Sequence, residues 1–284
     1  MWGFPVLAEY LRKKDFFMKK LLTLILAGAM ALSMAACSEK KDAEPKAEET
    51  ASDLAYVTEN GKMVIGYTIY EPMNFEDENG ELTGFDTEFA QAVCEKLGVE
   101  PEFVVIDWDN KFLELESKSI DCIWNGMTIS DEVKVNTNVS KAYVKNAQVV
   151  VMNADKVDEY KDVESMKDLK FAAEAGSAGE KAIKDNKLDA NYVAVAAQTD
   201  AMLEVMSGSV DACVIDITMA NAMTGEGTSY ASLASGIELT TEEYGIGFRK
   251  DSDMTEKVNG IMDELTEDGT MAKLAEKYSL TLAE

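Results

Sequence analysis

The residues of this chain that could do chemistry sit just past two short apolar runs. Asn125 and Thr128 follow the run at 120–124, and Asp216 follows the run at 212–215. An amide, a hydroxyl and a carboxylate in such places can give and accept hydrogen bonds with a small polar ligand. Gly176, Ser177 and Ala178 open a helical stretch whose free N–H groups and dipole suit an anion. Tyr70 and Trp108 offer aromatic faces, which hold apolar and cationic groups alike. Each feature also has a plainer use: aspartates cap helices, many helices begin Gly-Ser and bind nothing, and aromatic rings fill cores. The chain has no histidine, which removes histidine triads, histidine general bases and most zinc sites. A catalyst here would have to use carboxylates, lysine or tyrosine, and neither a metal nor a cofactor is expected.

The elements that carry these residues repeat. LELESKSID at 113–121 returns as LEVMSGSVD at 203–211, with five identities and two apolar exchanges in nine positions. Each copy reads as a helix end, a polar turn and the start of an apolar strand. Around the first copy the pattern predicts a strand at 63–67, a helix at 86–97 stopped by Gly98, and a strand at 102–106. A helix at 109–117 capped by Asp109 and a strand at 120–124 follow. Around the second it predicts a strand at 169–173, a helix from Ser177, a strand at 192–195, a helix at 200–207 stopped by Gly208, and a strand at 212–215. Both halves read βαβαβ, the order of parallel sheets that bind ligands outside the carboxyl ends of their strands. Extended runs at 147–152 and 244–249 and two C-terminal helices, at 255–267 and 270–278, remain. If those helices pack on the first half, the chain crosses between lobes at about 147–150 and 243–247, and two crossings make a hinge.

Composition narrows the partners. The 284 residues are 46% hydrophobic, enough for real cores, and 53 acidic against 27 basic residues give a net charge of -26. That charge opposes binding to nucleic acid. From Met18 a basic start, an uncharged stretch at 21–36 and Cys37 read as a secretion signal, too short to span a bilayer. Ala35 and Ala36 before Cys37 resemble the lipobox of bacterial lipoproteins, although Met34 stands where leucine is usual. That resemblance implies cleavage before Cys37 and lipidation there, leaving the protein anchored on the extracytoplasmic face. Residues 1–17 lie upstream of this second start, so Met18 is the expected initiator. The stretch 38–53 lacks aromatic and branched aliphatic residues and reads as a disordered tether reaching roughly 20–25 Å. Cys94, Cys122 and Cys213 lie in apolar contexts without a CxxC pair and read as small buried hydrophobes.

GFDTEFAQAV at 84–93, WNGMTIS at 124–130 and GTMAKLAEKY at 269–278 resemble the bacterial extracellular solute-binding proteins that deliver polar amino acids to ABC importers. The resemblance covers nearly all of 57–280. It implies an α/β, two-lobed periplasmic-binding-protein-like fold of type II, with 54–147 plus 246–284 as one lobe and 148–245 as the other. It implies a monomer that binds a polar amino acid and presents it to a permease, without catalysis. By position, Asp216 matches the aspartate that grips the α-ammonium group, and Thr128 the hydroxyl that donates to the α-carboxylate. Asn125, Gly126 and Met127 match positions offering backbone groups, Tyr70 a stacking aromatic and Trp108 a second wall. Ser177 and Ala178 are candidates for the carboxylate or an acidic side chain. Val133 departs from the pattern, standing where the family commonly has an arginine that clamps the carboxylate. Losing that charge-assisted contact costs roughly 1.5–3 kcal/mol, about 10- to 100-fold in affinity, unless other donors substitute. Thr68 stands where relatives selective for cationic side chains have aspartate, which argues against lysine, arginine or histidine. The same fold also resembles periplasmic dehydratases that use a carboxylate as general acid, and a ligand-sensing module for a separate receptor is a third reading.

Overall fold

The computed structural model describes residues 52–284. The signal segment 1–36, Cys37 and the tether up to residue 51 lie outside the described residues. Ser52 and Asp53, expected at the end of the tether, are structured. Ser52 Oγ accepts from the Ala55 N–H at 2.9 Å and opens α1 (Asp53–Asn60). Asp53 is buried against the Arg249 guanidinium at 2.9 Å, a partner from the far end of the chain that composition could not reveal.

The first sheet is built from β1 (Lys62–Tyr67), β4 (Glu100–Val105) and β5 (Cys122–Thr128), which run parallel in the order β4-β1-β5. A small hairpin, β2 (Phe75–Glu76) and β3 (Leu82–Thr83), follows β1, and α2 (Phe85–Leu97) returns the chain to β4. After β4 come α3 (Lys111–Glu116), β5, α4 (Asp131–Asn136) and two short strands, β6 (Asn138–Val139) and β7 (Val144–Asn146). The second sheet holds β8 (Gln148–Asn153), β9 (Phe171–Glu174), β10 (Tyr192–Val195), β11 (Ala212–Asp216) and β12 (Leu233–Glu238) in the order β10-β9-β11-β8-β12. Here α5 (Ala178–Asp185) joins β9 to β10, α6 (Gln198–Ser207) joins β10 to β11, and α7 (Ile217–Met223) leaves β11. The chain then returns: β13 (Glu242–Phe248) lies antiparallel to β5 in the first sheet, and α8 (Met254–Glu267) and α9 (Thr270–Lys277) pack against α2. Val258, Ile261, Leu265 and Met271 give those two helices their buried face.

The chain therefore passes between sheets at Ala147 and again at 239–241. The second passage comes earlier than the 243–247 read from sequence, because Glu242–Phe248 is already paired with β5 and β7. Two further local differences have the same kind of cause. The strand expected at 120–124 runs from Cys122 on through Thr128, because Met127 and Thr128 pair with Gly245 and Tyr244. The helix after β4 begins as a single 3-10 turn at Trp108–Asn110 capped by Asp107, whose Oδ1 accepts from the Asp109 N–H at 3.1 Å, so Asp107 rather than Asp109 is the cap.

The repeated segments form the same bonds. In the first, Asp121 donates its N–H to Val64 O at 2.7 Å and accepts the Val64 N–H on Oδ2 at 2.9 Å. In the second, Asp211 donates to Lys170 O at 2.9 Å and accepts the Lys170 N–H on Oδ2 at 2.8 Å. Ser117 and Ser119 share a hydroxyl bond of 2.9 Å, and Ser207 and Ser209 one of 2.8 Å. Lys118 and Gly208 both take the left-handed backbone, at φ 64° and 75°. Cys94, Cys122 and Cys213 are free and buried.

Candidate functional site

Between the two sheets, at the carboxyl ends of their strands, lies a small cavity of about 50 Å³. One wall is first-lobe: Trp108 and Lys111 after β4, Asn125 to Thr128 at the end of β5, and Ser130, Glu132 and Val133 at the start of α4. The other is second-lobe: Glu174 ending β9, Gly176, Ser177, Ala178 and Lys181 leading into α5, Gln198 opening α6, and Asp216 ending β11. Two strand ends from each sheet thus converge on one space, the arrangement by which open α/β sheets bind ligands.

Asp216 is the most elaborately held group in it. Its Oδ1 accepts from Asn146 Nδ2, from Gln148 Nε2 at 2.8 Å and from the Tyr244 hydroxyl at 2.8 Å. Its Oδ2 accepts from Gln198 Nε2 alone, at 2.6 Å, which leaves acceptor capacity on the oxygen nearer the cavity-lining amide. Burial, followed by the field of Glu242, raises its carboxyl to about 7 against the pull of Tyr244, Gln198 and Gln148. Asn146 and Gln148 also donate to Glu242 Oε1, at 2.7 and 2.8 Å. These two amides flank Ala147, where the chain passes between sheets, so the cavity carboxylate is wired directly to the crossing.

The other residues singled out from sequence divide into two groups. Trp108, Gly126, Met127, Ser177 and Ala178 line the cavity, as do Asn125 and Thr128. The Asn125 side chain is used up inside the first lobe: Oδ1 accepts from the Thr68 N–H and hydroxyl, and Nδ2 donates to Thr68 O and Asn74 Oδ1. Only its backbone remains for the cavity, and Thr68 serves as its partner. The Thr128 hydroxyl donates to Glu242 Oε1 at 2.7 Å. Ser177 Oγ accepts from the Glu180 N–H at 3.1 Å and caps α5. Tyr70 does not line the cavity. Its ring packs so closely on Gly126 that a Cβ there would sit 2.6 Å from Cε1, and its hydroxyl bonds Thr218 and Tyr244. Trp124 is fully buried, edge-on to Phe89.

Several groups at the site were not singled out from sequence. Asp86, the aspartate of the GFD triplet, accepts the Gly126 N–H at 2.6 Å and the Tyr143 hydroxyl at 2.9 Å, fixing the cavity end of β5. Burial raises its carboxyl to about 7. Glu174 is 3% exposed, has one oxygen without a protein partner, and is raised to about 8 by burial and then by Asp216. Gln198, Glu242 and Lys111 complete the set. Glutamates and glutamines at element ends have no local signature of this kind, because only the meeting of two lobes gives them a common space.

The lobes are close here. Lys111 Nζ donates across the gap to Gly176 O at 2.9 Å. Gly176 is at φ 66°, and a Cβ on it would stand 2.7 Å from Asp109 Oδ1. Two lobes closed over a polar cavity, linked by two crossings and walled by strand ends of both sheets, define a two-lobed ligand-binding protein.

The model of the bacterial extracellular solute-binding proteins, family 3, matches residues 63–281, and the chain belongs to that family. It is similar to the L-cystine-binding protein TcyJ of Escherichia coli, 28% identical over 79% of this chain and 85% of that protein. It is also similar to the probable amino-acid-binding protein YxeM of Bacillus subtilis, 32% identical over 71% of this chain and 77% of that one. Among solved structures, the ancestral amino acid-binding protein AncCDT-1, a precursor of cyclohexadienyl dehydratase, superposes with a TM-score of 0.73 and 31% identity, covering 80% of this chain and 99% of that one.

Proposed function

We propose that this protein binds a polar amino acid between its lobes, performs no chemistry on it, and delivers it to the membrane permease of an ABC importer. The observation that carries this reading is Asp216: a buried carboxylate, oriented by four side-chain donors, with spare acceptor capacity in a cavity walled by both lobes. An ammonium group is the natural partner for such a carboxylate, and its arrival would hold Asp216 ionised. The backbone of Asn125 to Thr128 serves the opposite end of the ligand, and Trp108 walls its side chain. The relatives named for amino acids support the class of ligand, and the family's extracellular character supports work outside the cytoplasm.

The test is a thermal-shift panel of the twenty amino acids and L-cystine on residues 38–284. Asp216→Asn, which removes the charge and nearly keeps the shape, should weaken binding by about 2–5 kcal/mol, roughly 30- to several-thousandfold. An unchanged ligand-dependent melting shift rejects the ammonium role. We further propose that Cys37 carries the lipid anchor. Cys37→Ser should abolish incorporation of labelled palmitate, and retained label would exclude that cysteine as the site.

A further inference from the structure

We propose that Lys111 takes the ligand's carboxylate, filling the role left open by Val133 and joining ligand capture to lobe closure through its bond to Gly176. This rests on the amino-acid reading above and deepens it.

Lys111 is 5% exposed, and its ammonium lies at the cavity wall that Val133 shares. Two of its three N–H groups are accounted for, by Trp108 O at 3.1 Å and Gly176 O at 2.9 Å. Both acceptors are neutral. Among the described residues no carboxylate comes within 4 Å of Nζ; burial lowers its pKa, and the fields of Glu132, Glu174, Asp109 and Glu180 oppose that only from farther off. It also lies over the rings of Phe112 and Trp108, at 4.8 and 5.0 Å from their centroids. A buried cation held only by carbonyls and ring faces, with an N–H to spare, is incomplete without an anion.

The remaining donors at this wall point to the same conclusion. The Thr128 hydroxyl is engaged by Glu242 and the Asn125 amide by Thr68 and Asn74, while Ser130, and Ser177 across the gap, accept cap N–H bonds on their oxygens and have only a neutral O–H to offer. Val133 is apolar, and its N–H goes to Ser130. Among the first-lobe residues that line the cavity, Lys111 is the one cation, and it stands in the wall opposite Asp216. With both lining a cavity of about 50 Å³, one small zwitterion can touch both. The ligand class then narrows to molecules with a free α-carboxylate, which excludes polyamines and α-amides. Because the same ammonium already reaches Gly176 O in the other lobe, a carboxylate on it would sit at the seam and favour the closed arrangement.

The experiment compares Lys111→Gln with Lys111→Arg, using each amino acid that shifts the wild-type protein and the α-amide of that amino acid. Glutamine removes the charge but keeps N–H donors on a side chain one atom shorter, and Lys111→Arg controls for the loss of the carbonyl bonds. Lys111→Gln should weaken the free amino acid about 10- to 100-fold and leave the amide nearly unchanged, collapsing the preference for the acid. Lys111→Arg should preserve that preference. If Lys111→Gln binds the acid as wild type does, or keeps the wild-type ratio of acid to amide, the assignment to Lys111 fails while the amino-acid reading stands. If no amino acid and no cystine shifts the wild-type protein, both fail together.

Discussion

The two repeated segments make the same local bonds in very different surroundings. Asp121 clamps β1 at Val64, and Asp211 clamps Lys170 at the entry to β9, each through a paired N–H and carboxylate bond. Asp121 is 4% exposed and also accepts from Arg249 Nη2 at 3.1 Å, and that guanidinium bonds Asp53 and the carbonyl of Ile120 as well. Asp211 is exposed, and among the described residues it has no ion-pair partner. One copy is thus the junction of four distant segments, whereas the other closes a single turn. Their downstream strand ends differ too: the first lobe presents an amide already committed within the lobe, the second a carboxylate turned to the cavity. Equal local geometry does not fix equal energetics, because burial and long-range partners set what each bond contributes.

The sharpest way to break this comparison is the pair of alanine substitutions. Asp121→Ala leaves the Arg249 charge buried beside a single remaining carboxylate and should cost about 3–5 kcal/mol of stability. Asp211→Ala removes one exposed hydrogen bond and should cost about 0.5–1.5 kcal/mol. Urea unfolding of the two variants measures both, and equal costs would refute the contrast.

The left-handed glycines of the second lobe give a finer test. Gly208 and Gly176 share a positive φ, but nothing lies within 4 Å of a Cβ on Gly208, whereas one on Gly176 meets Asp109 of the other lobe. Alanine at either position should cost about 1–2 kcal/mol through backbone strain. Only Gly176→Ala should also weaken ligand binding and leave the lobes more open, read as a larger radius of gyration by X-ray scattering with ligand present. Matching effects of both variants on binding would place the lobe contact elsewhere.

The smallest effect separates the ligand-free from the loaded protein. Asp86, Asp216 and Glu174 are raised by burial to about 7, 7 and 8. The folded state then holds more protons than the unfolded chain between about pH 4 and 8, so stability rises as pH falls across that window. Without ligand, the melting temperature should climb by a few degrees from pH 8 to pH 5, while ligand affinity declines below pH 7 as Asp216 becomes protonated. Parallel pH trends with and without ligand would contradict the ammonium role.

Much of the scaffold was legible because it is local. Strand and helix patterns at 63–67, 192–195 and 200–207 needed only periodicity, and Gly98 and Gly208 end their helices in the left-handed conformation as such glycines do. Site residues at the ends of strands were legible as polar groups following apolar runs, which is how Asp216 and Thr128 stood out. Asp107 replaced Asp109 as a cap because either aspartate satisfies the same short-range pattern. Glu174, Gln198, Glu242 and Lys111 could not be read in advance, since each acquires its meaning from a residue in another segment or in the other lobe.

The sequence by itself determined the two α/β halves, their duplication and the polar ends of their strands, because periodicity and capping act over a few residues. Tertiary structure alone decided the rest: that Thr128 and Asn125 are engaged within the protein, that Tyr70 is buried against Gly126, that Asp53 belongs to the core, and that Lys111 lines the cavity from the wall opposite Asp216. Those outcomes depend on which groups two lobes bring within about 3 Å of one another and shield from water, and neither distance nor burial is encoded within any one segment.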